Sequence, residues 1–180
     1  MTRRNEQVAG TNTQKDCTND NNHIGRRVPC IGLRAALDYV DGRLEDRNAG
    51  TKPHGKMRWH MKFLLSKHKL AAFISTRLRT TATRYRVPDV CAYLKEPDEE
   101  VFTAPPVLCV ELLSPDDLWD RVMDLADEYL AIGVPAVWFL DPLKKRACVV
   151  DAKSGFHGVR ETISTFDGSV SLTLEEIFAV

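Results

Sequence analysis

The sequence lacks several features that would place it in a common class of protein. No apolar run approaches the length of a membrane-spanning segment, and none follows the charged opening MTRRNEQVAG, so we expect neither a membrane protein nor a secretory signal. GxSxG, P-loop and GxGxxG motifs are missing, which argues against a serine hydrolase and against a nucleotide cofactor. The five cysteines form no CxxC pair and one is left over, so we expect reduced thiols in a cytoplasmic protein rather than disulfides or a zinc site.

Apolar residues are scarce near the N-terminus. Residues 1–30 are rich in Asn, Thr, Asp and Arg and show no periodicity, which is typical of a disordered tail. The rest of the chain is long enough to bury a sizeable core. The expected organisation is therefore a disordered tail, residues 1–30, followed by one folded domain, residues 31–180.

Net charge is also lacking, but the two signs are separated along the chain. Between Lys52 and Arg86 there are ten Lys and Arg and no Asp or Glu, whereas eleven acids and only two cations lie from Lys95 to Glu128. A basic face can contact phosphates, and an acidic pocket can collect divalent cations. The alternative is that the two blocks pair with each other across the fold. Trp59, inside the basic block, is expected to fill the core rather than to stack on a base.

The spacing of apolar residues predicts helices alternating with strands. HGKMRWHMKFLLSKHKL has helical spacing, while AAFISTRLRT, TRYRVPDVCAYL and AVWFLD each have the pattern of one strand. VLCVELLSP has the composition of a buried strand, and Ser114–Pro115 at its end is expected to begin a helix that ends at Gly133. Near the C-terminus, KSGFHG is expected to be a turn and TLEEIFAV a short capped helix. This pattern predicts an α/β or mixed α+β domain.

Two acids lie on otherwise apolar strands. Glu111 lies inside VLCVELLSP, and Asp89 alternates onto the same face of its predicted strand as Cys91 and Tyr93. A buried carboxylate costs several kcal/mol unless it finds a cation, a hydrogen-bond donor or a proton. Glu111 is therefore part of a structural ion pair, or lies at a strand end that reaches water, or binds a metal. Two acids on consecutive strands would suit Mg²⁺, which prefers hard oxygen donors.

Four segments of the chain together resemble one protein family. DYVDGRLEDRNAGTKPH, TRYRVPDVCAYL, FTAPPVLCVELLSPDD and YLAIGVPAVWFLDP occur in the order and at the spacing of the Uma family of restriction endonucleases, within the PD-(D/E)XK nuclease superfamily. The resemblance runs from about Leu37 to Phe178. It implies a restriction-endonuclease-like core, which is a mixed β-sheet flanked by helices. It also implies DNA as the substrate and, because nucleases of this superfamily often act as dimers, a homodimer.

The resemblance further implies roles for individual residues. Asp89 and Glu111 would hold Mg²⁺ or Mn²⁺, with the backbone carbonyl of Leu112 as a further ligand. Asp38 matches a family position that carries an acid, and it would assist catalysis. His54 matches a family histidine near the site. It is expected to hold the metal-binding residues in place without binding the metal itself, or to cap a helix.

One departure from the family pattern concerns a lysine. The family carries it on the helix after the glutamate strand, four residues before the tyrosine that matches Tyr129, and that position here is Leu125. No lysine occurs between Lys95 and Lys144. In such nucleases the lysine positions the attacking water and stabilises the developing charge, so its loss should cost orders of magnitude in rate. Arg121, one helical turn earlier, can hold a phosphate and is the expected substitute, but it deprotonates too reluctantly to act as a base.

Three functions are consistent with these observations. The leading hypothesis is a Mg²⁺- or Mn²⁺-dependent endonuclease that hydrolyses DNA phosphodiester bonds and is impaired by Leu125. Its site residues are Asp89, Glu111, Asp38 and Arg121. The alternative, which Leu125 favours, is a catalytically inactive nuclease-fold protein that binds DNA or a partner protein. The third hypothesis is that Asp89 and Glu111 serve only in an ion pair inside the core and that the protein has no nucleic-acid role.

Overall fold

The computed structural model of the protein describes residues 37–45 and 51–180. The predicted disordered tail, residues 1–30, lies outside these residues. The described part of the chain forms twelve strands and three helices, and none of these helices is long and apolar enough to cross a membrane. The elements in chain order are β1 (Asp38–Val40), β2 (Arg43–Glu45), α1 (Lys52–Lys67), β3 (Ala71–Ile74), β4 (Leu78–Thr81), β5 (Arg84–Arg86), β6 (Val90–Tyr93), β7 (Leu108–Leu112), α2 (Trp119–Ala131), β8 (Ala136–Asp141), β9 (Arg146–Asp151), β10 (Gly155–Val159), β11 (Thr162–Ser164), β12 (Ser171–Thr173) and α3 (Leu174–Ile177).

A six-stranded sheet forms the centre of the domain, in the order β10-β9-β8-β7-β6-β3. Its neighbouring strands are antiparallel except β7 and β8, which are parallel. Parallel neighbours need a crossover connection, which α2 provides. A four-stranded sheet, β2-β1-β5-β4, and the pair β11-β12 complete the described part. The predicted fold class, a mixed sheet flanked by helices, is confirmed.

Side chains of the central sheet alternate between two hydrophobic clusters. Along β7, Val110 belongs to the cluster that contains Met61 of α1, whereas Cys109 belongs to the cluster that contains Val122 of α2. The two clusters lie on opposite faces of the sheet because successive side chains of a strand point to opposite sides. Glu111 follows Val110, so its side chain points to the face that α2 covers.

Helix α1 buries the face that its sequence predicts. Pro53 lies in its first turn, where a missing backbone N–H leaves no helical hydrogen bond unmade. The apolar residues at helical spacing are buried, namely Met57, Met61, Leu64 and Leu65. Trp59 lies on the other side and is 69% exposed, so the expectation that it fills the core is wrong.

Two segments that were predicted to be single strands are each two strands. TRYRVPDVCAYL divides into β5 of the four-stranded sheet and β6 of the central sheet, and AAFISTRLRT divides into β3 and β4. Pro88 cannot donate to a continuous ladder, and Ser75 turns the chain with a φ of 49°. As a result, Asp89 lies immediately before β6 rather than in the middle of a strand.

The second helix starts later than predicted. Helix α2 begins at Trp119, and Ser114 lies in a turn in which its backbone N–H donates to the Asp117 carboxylate at 2.7 Å. Asp favours such turns because its side chain bonds nearby backbone N–H groups. The helix ends before Gly133, as predicted, with Gly133 at a φ of 100°. The predicted turn KSGFHG is mostly strand, since β10 begins at Gly155, while the predicted capping box of the last helix is present.

Candidate active site

The register of the central sheet brings Asp89 and Glu111 together. In the antiparallel pair β6 and β7, Val90 lies opposite Val110. Asp89 precedes Val90 and Glu111 follows Val110, so the opposite chain directions place both acids at the same end of the pair. The backbone N–H of Asp89 accordingly donates to Glu111 Oε2 at 3.4 Å. We call these two residues the acidic pair.

Both carboxylates of the acidic pair are buried and accept hydrogen bonds. Asp89 is 3% exposed and Glu111 is 6% exposed. Asp89 Oδ2 accepts from the backbone N–H of Leu112 at 2.8 Å, and Glu111 Oε1 accepts from the Tyr129 hydroxyl at 2.8 Å. These donors offset part of the cost of taking the carboxylates out of water. Leu112 thus contacts the pair through its N–H, and the metal-binding role of its carbonyl oxygen stays a prediction.

Sequence reasoning missed one basic side chain that contacts the acidic pair. Arg58 of α1 donates from Nε to Asp89 Oδ1 at 2.8 Å, and its Nη2 lies 2.7 Å from the same oxygen. The two residues are 31 positions apart, so no local motif marks the contact. One signal was available: Arg58 follows His54 by four residues, which places both side chains on the same face of a helix.

The acidic pair lies in a cleft of about 630 Å³. Its walls come from α1, from the end of β7 and from α2. The cleft is lined by all the site residues predicted from the sequence, together with Arg58 and the position of the missing lysine: Asp38, His54, Arg58, Asp89, Glu111, Leu112, Arg121 and Leu125. A cleft that gathers convergent polar groups is a candidate ligand site.

Asp38 lines this cleft, but the partners of its carboxylate lie on or beside β5 of its own four-stranded sheet. Its Oδ2 accepts from Arg86 Nη1 at 3.1 Å, and its Oδ1 accepts from the backbone N–H of Val87 at 3.0 Å. Arg86 also donates to Glu128 of α2, at 2.6 Å and 3.0 Å. Arg86 comes from the basic block and Glu128 from the acidic block, so the two blocks do pair at this point. The catalytic role of Asp38 stays a prediction.

His54 is buried in the first turn of α1. Its Nδ1 lies 2.9 Å from the hydroxyl of Thr51, the residue that precedes the helix. This contact supports the start of α1, and through α1 it supports the helix that carries Arg58. It agrees with the supporting role expected for His54, which remains a prediction for catalysis.

The predicted substitute for the lysine lies at the rim of the cleft. The Arg121 side chain is 55% exposed, and its Nη2 lies 3.7 Å from Glu45. This ion pair is exposed, and exposed ion pairs contribute little to stability. Leu125, one turn further along α2, is partly buried and lines the cleft, so a lysine there would share the cleft with the acidic pair.

The acidic pair suits a hard divalent cation. Mg²⁺ is commonly held by one or two carboxylates, with water in the other positions, and Asp89 and Glu111 supply two carboxylates at one place. Within residues 37–45 and 51–180, no group of three or more His, Cys, Asp or Glu lies close enough to hold a metal. The two carboxylate donors of the acidic pair fit Mg²⁺ or Mn²⁺.

The two cysteines beside the acidic pair are not nucleophiles. Cys91 and Cys109 lie opposite each other on β6 and β7 and are buried and free. Burial raises the pKa of Cys91 to about 12, with a smaller contribution from the Glu111 charge, and burial raises the pKa of Cys109 well above its ordinary value. Because the thiolate is the reactive form, both side chains are inert thiols.

Removal of the Tyr129 hydroxyl is expected to destabilise the protein. Tyr129→Phe takes a donor from the buried Glu111 carboxylate and should lower the free energy of unfolding by about 1.5–3 kcal/mol, the range for hydrogen bonds to charged groups. Tyr93→Phe is the matched control, since the Tyr93 hydroxyl donates to the neutral carbonyl of Ala104 at 3.1 Å and should cost about 1 kcal/mol. Urea denaturation at neutral pH measures both. Equal costs would contradict a special role for the bond to Glu111.

Two of the three comparisons with known proteins give matches, and the third gives none. Residues 27–179 match the model of a family, Uma2, that is described as "Putative restriction endonuclease". Among solved structures, the fold is similar to a "putative nuclease belonging to DUF820" from Anabaena variabilis, at 17% sequence identity and a TM-score of 0.66 over 79% of this chain and 89% of that chain. No curated protein matches. At this identity the structural likeness shows the fold, and the family match covers most of the sequence.

Proposed function

We propose, because this chain belongs to the Uma2 family, that it is a Mg²⁺- or Mn²⁺-dependent endonuclease that hydrolyses DNA phosphodiester bonds. The family and the fold support a nuclease in general. The observation that carries the finer proposal is the burial of Asp89 and Glu111 side by side in one cleft. Two buried carboxylates at the end of paired strands are a costly arrangement, and binding of a cation gives it a purpose.

The residues of the acidic pair would hold the cation. When bound, the cation would activate a water molecule and neutralise charge on the phosphate. The Tyr129 hydroxyl and the backbone N–H of Leu112 orient the carboxylates of Glu111 and Asp89 through the bonds described above. The carbonyl oxygen of Leu112 is the proposed third protein ligand.

The DNA backbone would lie along α1. This helix contains five basic residues and no acidic one: Lys52, Lys56, Arg58, Lys62 and Lys67. Lys and Arg that neutralise phosphates release counter-ions and supply most of the sequence-independent affinity for DNA. In the cleft, Arg121 would contact the phosphate in place of the missing lysine, and Asp38 would assist from the four-stranded sheet. A homodimer stays a prediction, which sedimentation analysis would test.

A second candidate is a nuclease-fold protein that binds DNA or a partner without cleaving it. Leu125 favours this candidate, because an apolar side chain at that position can neither orient water nor stabilise charge on a phosphate. The acidic pair favours the enzyme, because a protein that only binds DNA gains nothing from two buried carboxylates facing its ligand.

Cleavage assays decide between the two candidates. Glu111→Gln removes one charge of the acidic pair with little change in shape and should lower the rate of plasmid cleavage in Mg²⁺ or Mn²⁺ by about three orders of magnitude or more. Glu175→Gln is the matched control, because Glu175 lies on α3, away from the cleft, and it should leave the rate unchanged.

Three outcomes are informative. Cleavage by the wild-type protein and by Glu175→Gln but not by Glu111→Gln supports the endonuclease. Equal rates in all three proteins place the catalyst elsewhere. If none of them cleaves plasmid or single-stranded DNA with either cation, while gel-shift assays show that wild type binds DNA, the second candidate is favoured.

A further inference from the structure

The two buried carboxylates of the acidic pair, at the same end of β6 and β7, create an electrostatic problem. Asp89 and Glu111 are like-charged side chains at a place from which water is largely excluded, so their charges repel each other. A positive charge beside them relieves this repulsion. The Arg58 guanidinium supplies such a charge, since its Nε and Nη2 both lie within 2.8 Å of Asp89 Oδ1.

Arg58 and a divalent cation would use the same group. Asp89 Oδ2 already accepts from the backbone N–H of Leu112, so Oδ1 is the oxygen that faces the guanidinium. A cation bound by Asp89 would lie within a few ångströms of the guanidinium, where like charges repel strongly in a partly buried cleft. Arg58 stabilises the acidic pair, and for the same reason it opposes a second cation there.

The surroundings of Arg58 allow it to change partner. Its side chain is 22% exposed, whereas that of Asp89 is 4% exposed, and both line the cleft. Release of the guanidinium from Asp89 would therefore move it toward the solvent of the cleft and not into the core. Arginine also binds phosphate with two parallel hydrogen bonds, so a phosphodiester in the cleft offers it an alternative partner.

We propose that Arg58 is an intrinsic counter-ion of the acidic pair, one that competes with a divalent cation for Asp89 and sets the metal concentration at which the site fills. This inference rests on the proposed function, because it takes the acidic pair to be the metal site. The proposed role of Arg58 and a merely supporting role predict opposite effects on the affinity of the site for metal. A residue that only holds Asp89 in place should strengthen metal binding, whereas a competing charge should weaken it.

Calorimetric titration of the full-length protein with MnCl₂, without DNA, measures this sign. Arg58→Met removes the charge and the hydrogen bonds, and Arg58→Gln removes the charge but keeps a donor for Asp89. Both variants should bind Mn²⁺ about tenfold more tightly than wild type, as expected for the loss of one neighbouring positive charge. Lys56→Met removes a charge from the same helix at a position that does not line the cleft, and it should change the dissociation constant less than about twofold, because solvent and salt screen it.

Thermal melting shows whether the variants are folded and gives a second measure. Without metal, Arg58→Met should melt below wild type, since its acidic pair has lost a counter-ion. On addition of Mn²⁺ its melting temperature should rise by more than that of wild type, because tighter binding to the folded state stabilises it more. The smaller change in Arg58→Gln keeps the comparison valid even where Arg58→Met unfolds during titration.

The outcomes separate this inference from the proposed function. Tighter binding in Arg58→Met and Arg58→Gln, with no change in Lys56→Met, supports competition. If wild type binds Mn²⁺ and both Arg58 variants bind equally or more weakly, the competing role is overturned while the metal site stands. If neither wild type nor any variant binds Mn²⁺, the metal dependence of the proposed function fails, and the inference about Arg58 fails with it.

Discussion

Replacement of Leu125 by lysine is expected to raise the rate of DNA cleavage about 100-fold, the amount that one well-placed positive donor contributes to a charged transition state. Leu125 lines the cleft that holds the acidic pair, and it lies on α2 one turn after Arg121. A lysine there could direct its ammonium group to a phosphate in the cleft and orient water. The measurement is the initial rate of supercoiled plasmid nicking in Mg²⁺, compared with wild type.

Two further variants make this result specific. Leu125→Met keeps the size and the apolar character of the side chain and should match wild type. The double variant Leu125→Lys, Glu111→Gln should lose the gain, because the new lysine can act only with an intact acidic pair. If Leu125→Lys is no faster than Leu125→Met, the missing lysine does not limit the reaction, and other positive charges in the cleft are sufficient or the site is inactive for another reason.

The acidic pair shows which part of a site a sequence can predict. Asp89 and Glu111 stand out because each is a charged residue in an apolar strand pattern, and such residues are costly without a function or a partner. The resemblance to a family then predicted Asp38 and His54 near them, and helical spacing from the position of the missing lysine predicted Arg121. All three line the same cleft as the acidic pair. Local patterns and family motifs were enough for the carboxylates.

The positive charges of the site were harder to predict. Arg58 contacts Asp89, and Arg86 contacts Asp38 and Glu128, across 31 to 48 positions of sequence. Such contacts depend on how α1 and the two sheets pack, and a basic residue on a helix looks the same in sequence whether it meets solvent or a buried acid. The strand boundaries were predicted wrongly for a related reason. Two apparently continuous strands are divided between different sheets at Pro88 and Ser75, which only the tertiary fold decides.

Loss of the Arg86 side chain is expected to destabilise the protein more than loss of the Tyr129 hydroxyl. The Arg86 side chain is 10% exposed and joins Asp38 of β1 to Glu128 of α2. Arg86→Met would take a shared cation from two largely buried carboxylates, which typically costs about 3–5 kcal/mol. Arg79→Met is the control, because Arg79 is exposed on the neighbouring strand β4 and should cost less than about 0.5 kcal/mol. Urea denaturation at pH 7 measures both free energies of unfolding.

The pH dependence of this destabilisation tests its electrostatic origin. Burial alone would raise the pKa of Glu128, but hydrogen bonds from Arg86 and Thr80 outweigh it and lower the pKa below its ordinary value of 4.5. A carboxyl with a lowered pKa in the folded state stabilises the protein above its unfolded pKa, and that stability is lost as the pH falls through the folded value. The difference between wild type and Arg86→Met should therefore be full at pH 7 and shrink below about pH 4.5.

A second substitution separates charge from packing. Glu128→Gln added to Arg86→Met removes one of the two carboxylate charges that Arg86 neutralises, so the double variant should recover part of the lost stability. If Arg86 mattered only through the packing of its side chain, the double variant would be no more stable than Arg86→Met and the loss would not change with pH. Asp38 lies on β1 and Glu128 on α2, so this buried arginine joins α2, which forms one wall of the cleft, to the four-stranded sheet.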